Sequence, residues 1–162
     1  FNLDGISAVL FYLVIYSAMN LGSFSIISIV ESDDKGMNFK DYRGLSAKKP
    51  LLAIFMAIFM ISLAGFPPTA GFIAKYGLLS AAAANGYIWL VIIAVLNTLL
   101  SAYYYLRLIV NMYMKKEDDT EELKYTIMNQ YFVGLLAVII LILGIAPNFL
   151  LEIAEKATTI VF

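Results

Sequence analysis

Cysteine and histidine are both missing from this sequence. Thiolate and imidazole are the usual protein ligands of haem, iron–sulfur clusters and structural zinc, so the chain offers no ordinary redox or metal centre. Charge is also scarce, at 14% of residues against roughly 25% in soluble domains. The net charge of −1 indicates neither nucleic-acid binding nor a groove for acidic substrates. We therefore expect any associated redox chemistry on another chain.

Hydrophobic residues are abundant, at 62%, and they are gathered in four long blocks. A transmembrane helix needs about 20 apolar residues to cross a hydrocarbon layer of ~30 Å. The sequence therefore predicts an all-α, polytopic transmembrane bundle over residues 1–147. The predicted spans are 6–30, 50–84 with a break near 65–69, 87–114 and 125–146.

The remaining segment, 148–162, is predicted to be an amphipathic helix. It places five apolar side chains on one helical face, a pattern typical of a helix that lies along the membrane or along a partner. The chain opens with FNLDG, which is not a signal peptide, so we expect it to be the C-terminal piece of a longer protein. The apolar face of the tail consists of Phe149, Leu150, Ile153, Ala157 and Ile160.

The second apolar block is too long for one regular span, and two interpretations are open. It forms either a single helix broken at Pro67 and Pro68 or a helical hairpin that turns there. Eight of the eleven basic residues lie in the loops 31–49 and 115–124. A single broken helix puts both loops on one side of the membrane, as the positive-inside tendency prefers, whereas a hairpin separates them. We therefore favour the broken helix, with both loops in the cytoplasm.

The break has a local explanation. Pro67 and Pro68 have no N–H donor, and their rings clash with carbonyl groups one turn earlier. Gly65 and Gly71 stand on either side and permit irregular dihedral angles. Thr69 is predicted to cap the restarted helix by accepting a hydrogen bond from an N–H group of its first turn. Such backbone survives at membrane depth only where protein or cavity water satisfies it.

Lys75 is the only charged residue between Lys49 and Arg107. A lone ammonium at membrane depth costs at least ~2.5–3.5 kcal/mol, and beside irregular backbone it indicates an ion pathway. Gly71, four residues earlier on the same helical face, is predicted to leave room for water or a partner carboxylate. Lys75 is therefore the predicted proton-transfer residue. The alternative is that the prolines only kink a packed helix and Lys75 extends to a headgroup.

Polar side chains recur on the spans around Lys75. One interpretation is that they hold a water chain that serves the ammonium group. The other is hydrogen bonding between helices without transport, which we favour for any single one of them. The residues concerned are Asn20, Thr69, Asn97, Ser101 and Tyr104.

Four segments resemble the antiporter-like membrane subunits of respiratory complex I, the NADH:quinone oxidoreductases. Their broken twelfth helix is similar to MISLAGFPPTAGFIAKYGLLSAA, and their next helix is similar to VLNTLLSAYYYLRLIVNMY. The helix and loop before these resemble FYLVIYSAMNLGSFSIISIV and FKDYRGLSAKKPLLA. The match covers almost the whole chain and is specific in its ordered combination. It implies helices eleven to fourteen of an inverted-repeat antiporter-like fold.

The same resemblance implies a function. Lys75 would occupy the family's central-axis position on helix twelve, where a sister branch carries Glu. The chain would be part of a proton-translocating subunit of an enzyme that couples quinone reduction elsewhere to proton transfer through this lysine. Quinone, FMN and iron–sulfur clusters would then belong to other subunits, with no cofactor or metal on this chain.

The implied surroundings are the lipid bilayer, a neighbouring antiporter-like subunit and small membrane subunits, without nucleic acid. The implied location is a bacterial inner membrane rather than an organellar one. Two alternatives stay open from the sequence. One is a subunit of a cation/proton antiporter or membrane-bound hydrogenase of the same fold. The other is a purely structural membrane piece in which Lys75 only packs.

Overall fold

The computed structural model describes residues 3–31, 38–115 and 127–161, and all the regular structure in these ranges is helical. A short 3₁₀ helix, Phe39–Tyr42, stands in the first loop. The α-helices of the described ranges are α1 (Leu3–Val30), α2 (Leu45–Lys48), α3 (Pro50–Ala64), α4 (Ala70–Ala84), α5 (Ile88–Met114), α6 (Ile127–Ile145) and α7 (Asn148–Val161).

Length and composition explain which helices can cross a membrane. α1 and α5, of 28 and 27 residues, are long and apolar enough to do so, and the bent pair of α6 and α7 would add a third if it were one span. α3 and α4 have 15 residues each, or ~22 Å at 1.5 Å per residue, so each covers only part of the hydrocarbon layer. The predicted fold class, an all-α transmembrane bundle with one proline-broken helix, is confirmed.

The core of the described bundle is built around α1, which packs against α3, α4, α6 and α7. α3 in turn packs against α5 and α6. The side chains at these contacts are large and apolar, and they hold the helices together by close packing, since lipid is as apolar as the side chains themselves. The most deeply buried large side chains include Phe11, Ile15, Met19, Ile26, Leu52, Met56, Phe59, Met112 and Ile140.

The first loop packs against the end of α5. The Ser46 hydroxyl donates to the Met112 carbonyl over 2.9 Å, and the Arg107 guanidinium carbon lies 5.1 Å from the centroid of the Phe39 ring. These contacts put the start of α3 and the end of α5 at the same end of the bundle. A hairpin at the prolines would place them at opposite ends, so α3 and α4 form one broken span. Residues 116–124 of the second predicted loop lie outside the described residues.

α7 lies at the other end of the bundle. The Ser7 and Thr158 hydroxyl oxygens are 2.9 Å apart and connect α7 to the first turns of α1. The axis of α7 is bent by 84° from that of α6. Of the predicted apolar face, Phe149 and Ile153 are exposed, and the side chain of Ile160 is outside the described residues.

Candidate functional site

The break in the span begins at Gly65. Its φ of 83° and ψ of 40° lie in the left-handed region, which glycine adopts without the clash that a Cβ atom brings. The Gly65 N–H group donates to the carbonyls of Ile61 and Ser62, which closes the last turn of α3. The helix resumes only at Ala70, after both prolines.

A side chain from α3 accepts a hydrogen bond from a backbone N–H group in the first turn of α4. The Gly71 N–H group donates to the Ser62 hydroxyl over 3.1 Å, and this bond is buried. Thr69 stands at the N-cap position, but its hydroxyl donates to the Phe66 carbonyl over 2.6 Å and makes no capping bond. The predicted capping by the Thr69 side chain is therefore wrong. Ser62 supplies that acceptor from the preceding helix.

Gly71 serves a different purpose from the predicted one. A Cβ atom there would overlap the backbone carbonyl oxygen of Ser62. The missing side chain therefore lets the two half-helices touch, and the prediction that it leaves room for water is wrong. The close approach of α4 to the end of α3 also brings Lys75 within reach of that end.

Lys75 extends back across the break. Its ammonium nitrogen, Nζ, donates to the Leu63 carbonyl over 2.7 Å. Leu63 belongs to the last turn of α3, where carbonyl groups lack helical partners and carry the negative end of the helix dipole. The side chain passes beside Gly65, where a Cβ atom would lie 3.2 Å from Lys75 Cδ. The ammonium group therefore lies, partly buried, at the break between the two half-helices.

Beyond this contact, Lys75 faces a cavity of about 330 Å³ between α1, α4 and α5. This volume is enough for several water molecules. Leu63, Leu78, Leu79 and Ala94 contribute its apolar walls. Its polar lining, besides Lys75, consists of Tyr12, Tyr16, Asn97, Thr98, Ser101 and Tyr105.

Some of the predicted polar residues line the cavity, and others do not. Asn97 and Ser101 line it together with Lys75. Tyr104 is 57% exposed and is not among the lining residues. The Asn20 amide donates to the Tyr16 carbonyl within α1, and Thr69 stays at the break.

Sequence reasoning missed the tyrosines of the cavity. The rings of Tyr12 and Tyr16 are stacked with centroids 5.5 Å apart on α1. Their spacing of four residues would have indicated a shared helical face. Tyr105 continues the stripe of Asn97 and Ser101 along α5 in the same way. Chemically, the site combines an ammonium group and several hydroxyl groups around space for water, and all of these exchange protons with water.

Residues 1–101 match the family described as NADH:quinone oxidoreductase/Mrp antiporter, TM. NADH-quinone oxidoreductase subunit N of Trichlorobacter lovleyi is 45% identical over 159 residues, which are 97% of this chain and 33% of the relative. NADH-quinone oxidoreductase subunit N 2 of Solidesulfovibrio magneticus is 42% identical over 153 residues, 94% of this chain and 32% of the relative. The chain thus spans about a third of the length of these curated relatives.

Two solved structures share the fold. A chain of respiratory complex I from Thermus thermophilus with bound aureothin superimposes with a TM-score of 0.82 at 31% identity, over 91% of this chain and 34% of that one. A chain of the Mrp complex from Dietzia sp. DQ12-45-1b gives a TM-score of 0.80 at 20% identity, over 98% of this chain and 38% of that one. At that identity, the second likeness shows the fold alone.

Proposed function

Because the chain belongs to the NADH:quinone oxidoreductase/Mrp antiporter transmembrane family, we propose that it forms part of a proton-translocating subunit N of an NADH:quinone oxidoreductase. Relatives of that name are 45% and 42% identical to it, whereas the likeness to a chain of an Mrp complex stands at 20%. This difference favours the oxidoreductase over a cation/proton antiporter of the same fold.

The observation that carries the proposal is the position of the Lys75 ammonium group. It is bound to the Leu63 carbonyl at a helix break and faces a cavity of about 330 Å³. A structural lysine needs an acceptor for its ammonium group, which the Leu63 carbonyl provides, but it does not need a larger space lined by hydroxyl groups. A lysine that takes up and releases protons needs both a site that holds the charged form and a route for the proton.

The end of α3 supplies the first of these. A cation at a helix C-terminus is stabilised by typically ~0.3–1 kcal/mol, in addition to the hydrogen bond itself. In the proposed cycle, the protonated form of Lys75 rests against the Leu63 carbonyl. The neutral amine has a weaker interaction there and is free to turn towards the cavity.

The cavity supplies the second requirement, a route for the proton. The cycle also needs a force that removes the proton from Lys75. At an effective dielectric constant near ~20, a positive charge arriving about 6 Å away raises the energy of the ammonium by ~3 kcal/mol. This shifts the protonation equilibrium ~100-fold, since each 1.36 kcal/mol is a factor of ten. The cost of a lone ammonium at membrane depth acts in the same direction. With both effects, Lys75 gives its proton to cavity water, and it takes up another when the neighbouring charge leaves. In the proposed cycle, that charge lies on the segment that is N-terminal to the matched region in the longer relatives.

The energy for the cycle comes from electron transfer on other subunits. Quinone, FMN and iron–sulfur clusters are proposed to reside there, and this chain contains no Cys or His to bind a cluster. Its proposed neighbours are another antiporter-like subunit and small membrane subunits in a bacterial inner membrane.

The proposal is tested by Lys75→Met in the full-length subunit, assembled in its complex in sealed vesicles. The number of protons translocated per NADH oxidised should fall, because the proton carrier is gone. Lys75→Arg should lower it as well, since guanidinium scarcely deprotonates in proteins. The matched control is Lys156→Met, which removes an exposed lysine of α7 and should leave the ratio unchanged. Proton translocation by Lys75→Met at the ratio of the parent enzyme would show that Lys75 is structural.

A further inference from the structure

Three tyrosine hydroxyl groups meet in the cavity that Lys75 faces. Tyr12 and Tyr16 lie on α1, and their rings stack with centroids 5.5 Å apart and planes inclined by 13°. Tyr105 lies on α5, close enough to both for electrostatic interaction between the phenol groups. All three line the cavity together with Lys75. These residues, named here the tyrosine cluster, have no part in the hydrogen bond that holds Lys75 at the break.

The hydroxyl groups of the cavity differ in their hydrogen bonds. The Thr98 hydroxyl donates to the Ala94 carbonyl over 2.9 Å, and the Ser101 hydroxyl donates to the Asn97 carbonyl over 2.8 Å. Both bonds run one turn back along α5, so these two protons are held by the backbone of their own helix. Of the hydroxyl groups that line the cavity in the described ranges, only those of the tyrosine cluster have a proton that is not bound to a carbonyl group.

Packing of the aromatic rings does not explain the hydroxyl groups. Tyr12 and Tyr105 pack against the apolar core, and phenylalanine would supply the same ring for that packing and for the stacking on α1. A hydroxyl group at membrane depth costs free energy unless it has a hydrogen-bond partner. Three of them beside an ammonium group and space for water therefore indicate hydrogen bonding to that water.

We propose that the tyrosine cluster consists of positioning residues for proton transfer, which orient cavity water so that it accepts the proton of Lys75. A phenol group has one O–H donor and an oxygen atom that accepts. The oxygen binds an O–H group of the water that faces Lys75, and the O–H group donates to a second water molecule. This inference rests on the proposed role of Lys75 and names the residues that direct its proton into water.

The transfer step leaves the phenol groups neutral. An N–H bond of the Lys75 ammonium group breaks, the nitrogen keeps the electron pair, and the proton joins the oxygen of the oriented water to form hydronium. The phenol oxygens accept hydrogen bonds from this hydronium and so stabilise the charge outside Lys75. Proton uptake by the neutral amine follows the same arrangement in reverse.

The test uses Tyr16→Phe and Tyr105→Phe, singly and together, in the full-length subunit assembled in its complex in sealed vesicles. Each variant keeps the ring and removes the hydroxyl group. The initial rate of proton translocation at saturating NADH should fall several-fold in the double variant and less in each single variant. The solvent deuterium isotope effect on that rate should rise, because poorly oriented water makes proton transfer limiting. The matched control is Tyr103→Phe on α5, which is 62% exposed, does not line the cavity and should change neither quantity.

Thr98→Val removes a cavity hydroxyl whose proton is already bound to the Ala94 carbonyl, so it should slow translocation less than Tyr105→Phe does. Equal slowing by these two variants would overturn the distinction between the hydroxyl groups. A slower rate with an unchanged isotope effect would show that the tyrosines act only through packing.

Lys75→Met, measured beside these variants, separates this inference from the proposed function. If Lys75→Met lowers the number of protons per NADH while the double tyrosine variant keeps the rate and isotope effect of the parent, the tyrosine cluster has no role and the function of Lys75 stands. If Lys75→Met itself translocates protons at the parent ratio, both proposals are wrong.

Discussion

Proline interrupts the apolar helices at two places, between α3 and α4 and between α6 and α7, and the surroundings of the two interruptions differ. Pro67 and Pro68 are themselves exposed, but the ends of the half-helices beside them, at Ala64 and Ala70, are buried. Side chains from both half-helices bind the freed backbone groups there. At Pro147 the flanking residues Ile145 and Phe149 are 74% and 73% exposed. The ends of the helices are thus packed inside the protein at the first, inner interruption and exposed at the second, outer one.

The difference between the two interruptions explains why Lys75 lies at the first one. Backbone groups freed at membrane depth must find partners in protein or cavity water, whereas those freed at the end of a span can bind bulk water. The inner break leaves the Leu63 carbonyl without a helical donor, and the ammonium group of Lys75 provides one. A charge is thus accommodated at a place where the broken helix offers it an acceptor.

The largest effect on stability is expected from Gly71→Ala. The added Cβ atom would overlap the backbone carbonyl of Ser62, which cannot move without separating the half-helices. Overpacking costs typically ~1–3 kcal/mol, and contact with backbone puts this variant at the upper end. The measurement is the free energy of unfolding of the full-length subunit in mixed micelles.

The matched control for that variant is Gly77→Ala in the same helix, where a new Cβ atom meets nothing within 4 Å. Alanine should stabilise α4 there by up to ~1 kcal/mol through its higher helix propensity. If both variants change stability by the same amount, the half-helices are not in close contact and the inner break resembles the outer one.

Ser62→Ala should have the next largest effect. It leaves the buried Gly71 N–H group without an acceptor, which costs ~1–3 kcal/mol. Ser80→Ala is the control, because Ser80 is exposed and its hydroxyl donates to the Gly77 carbonyl within α4. Its loss should change the free energy of unfolding by less than ~0.5 kcal/mol. Equal losses in the two serine variants would mean that water serves Gly71 as well as Ser62 does.

Comparing Gly65→Ala with Gly86→Ala separates the effect of backbone strain from that of crowding Lys75. Gly65 has a φ of 83° and Gly86 a φ of 84°, so alanine at either position should cost a similar ~1–2 kcal/mol. Only at position 65 would the new methyl group approach Lys75, at 3.2 Å from Cδ, whereas nothing lies within 4 Å at 86. Gly65→Ala alone should therefore lower proton translocation per NADH. If the two variants translocate the same number of protons per NADH, the absence of a side chain at Gly65 does not matter for Lys75.

The sequence predicted the parts of this site that depend on local chemistry. Two adjacent prolines interrupt a helix in any context. A single lysine in a long apolar run can be recognised from the local sequence, without knowledge of its contacts. The broken helix followed from these signals and from the distribution of basic residues between the loops. The apolar blocks and the fold class followed in the same way from hydropathy and length.

The parts that depend on packing across the break could not be predicted. Thr69 has the side chain and position of an N-cap, yet Ser62 takes that role because α3 ends beside the start of α4. Gly71 was predicted to leave room for water or a partner carboxylate, but it allows close approach of the two half-helices, which depends on the path of the preceding helix. Tyr12 joins the cavity because α1 packs against α4, a contact between residues far apart in the sequence.

The smallest effect is expected at the outer interruption, from Phe149→Ser. Its side chain is 73% exposed and touches little of the described bundle, so the free energy of unfolding in mixed micelles should change by less than ~0.5 kcal/mol. Thr158→Val on the same helix should cost ~1 kcal/mol, since it removes the buried bond with Ser7. α7 is thus held to the bundle by its packed face, where Thr158 lies, and not by Phe149. If Phe149→Ser destabilises the protein as much as Ser62→Ala does, the outer interruption is packed like the inner one, and the contrast between them fails.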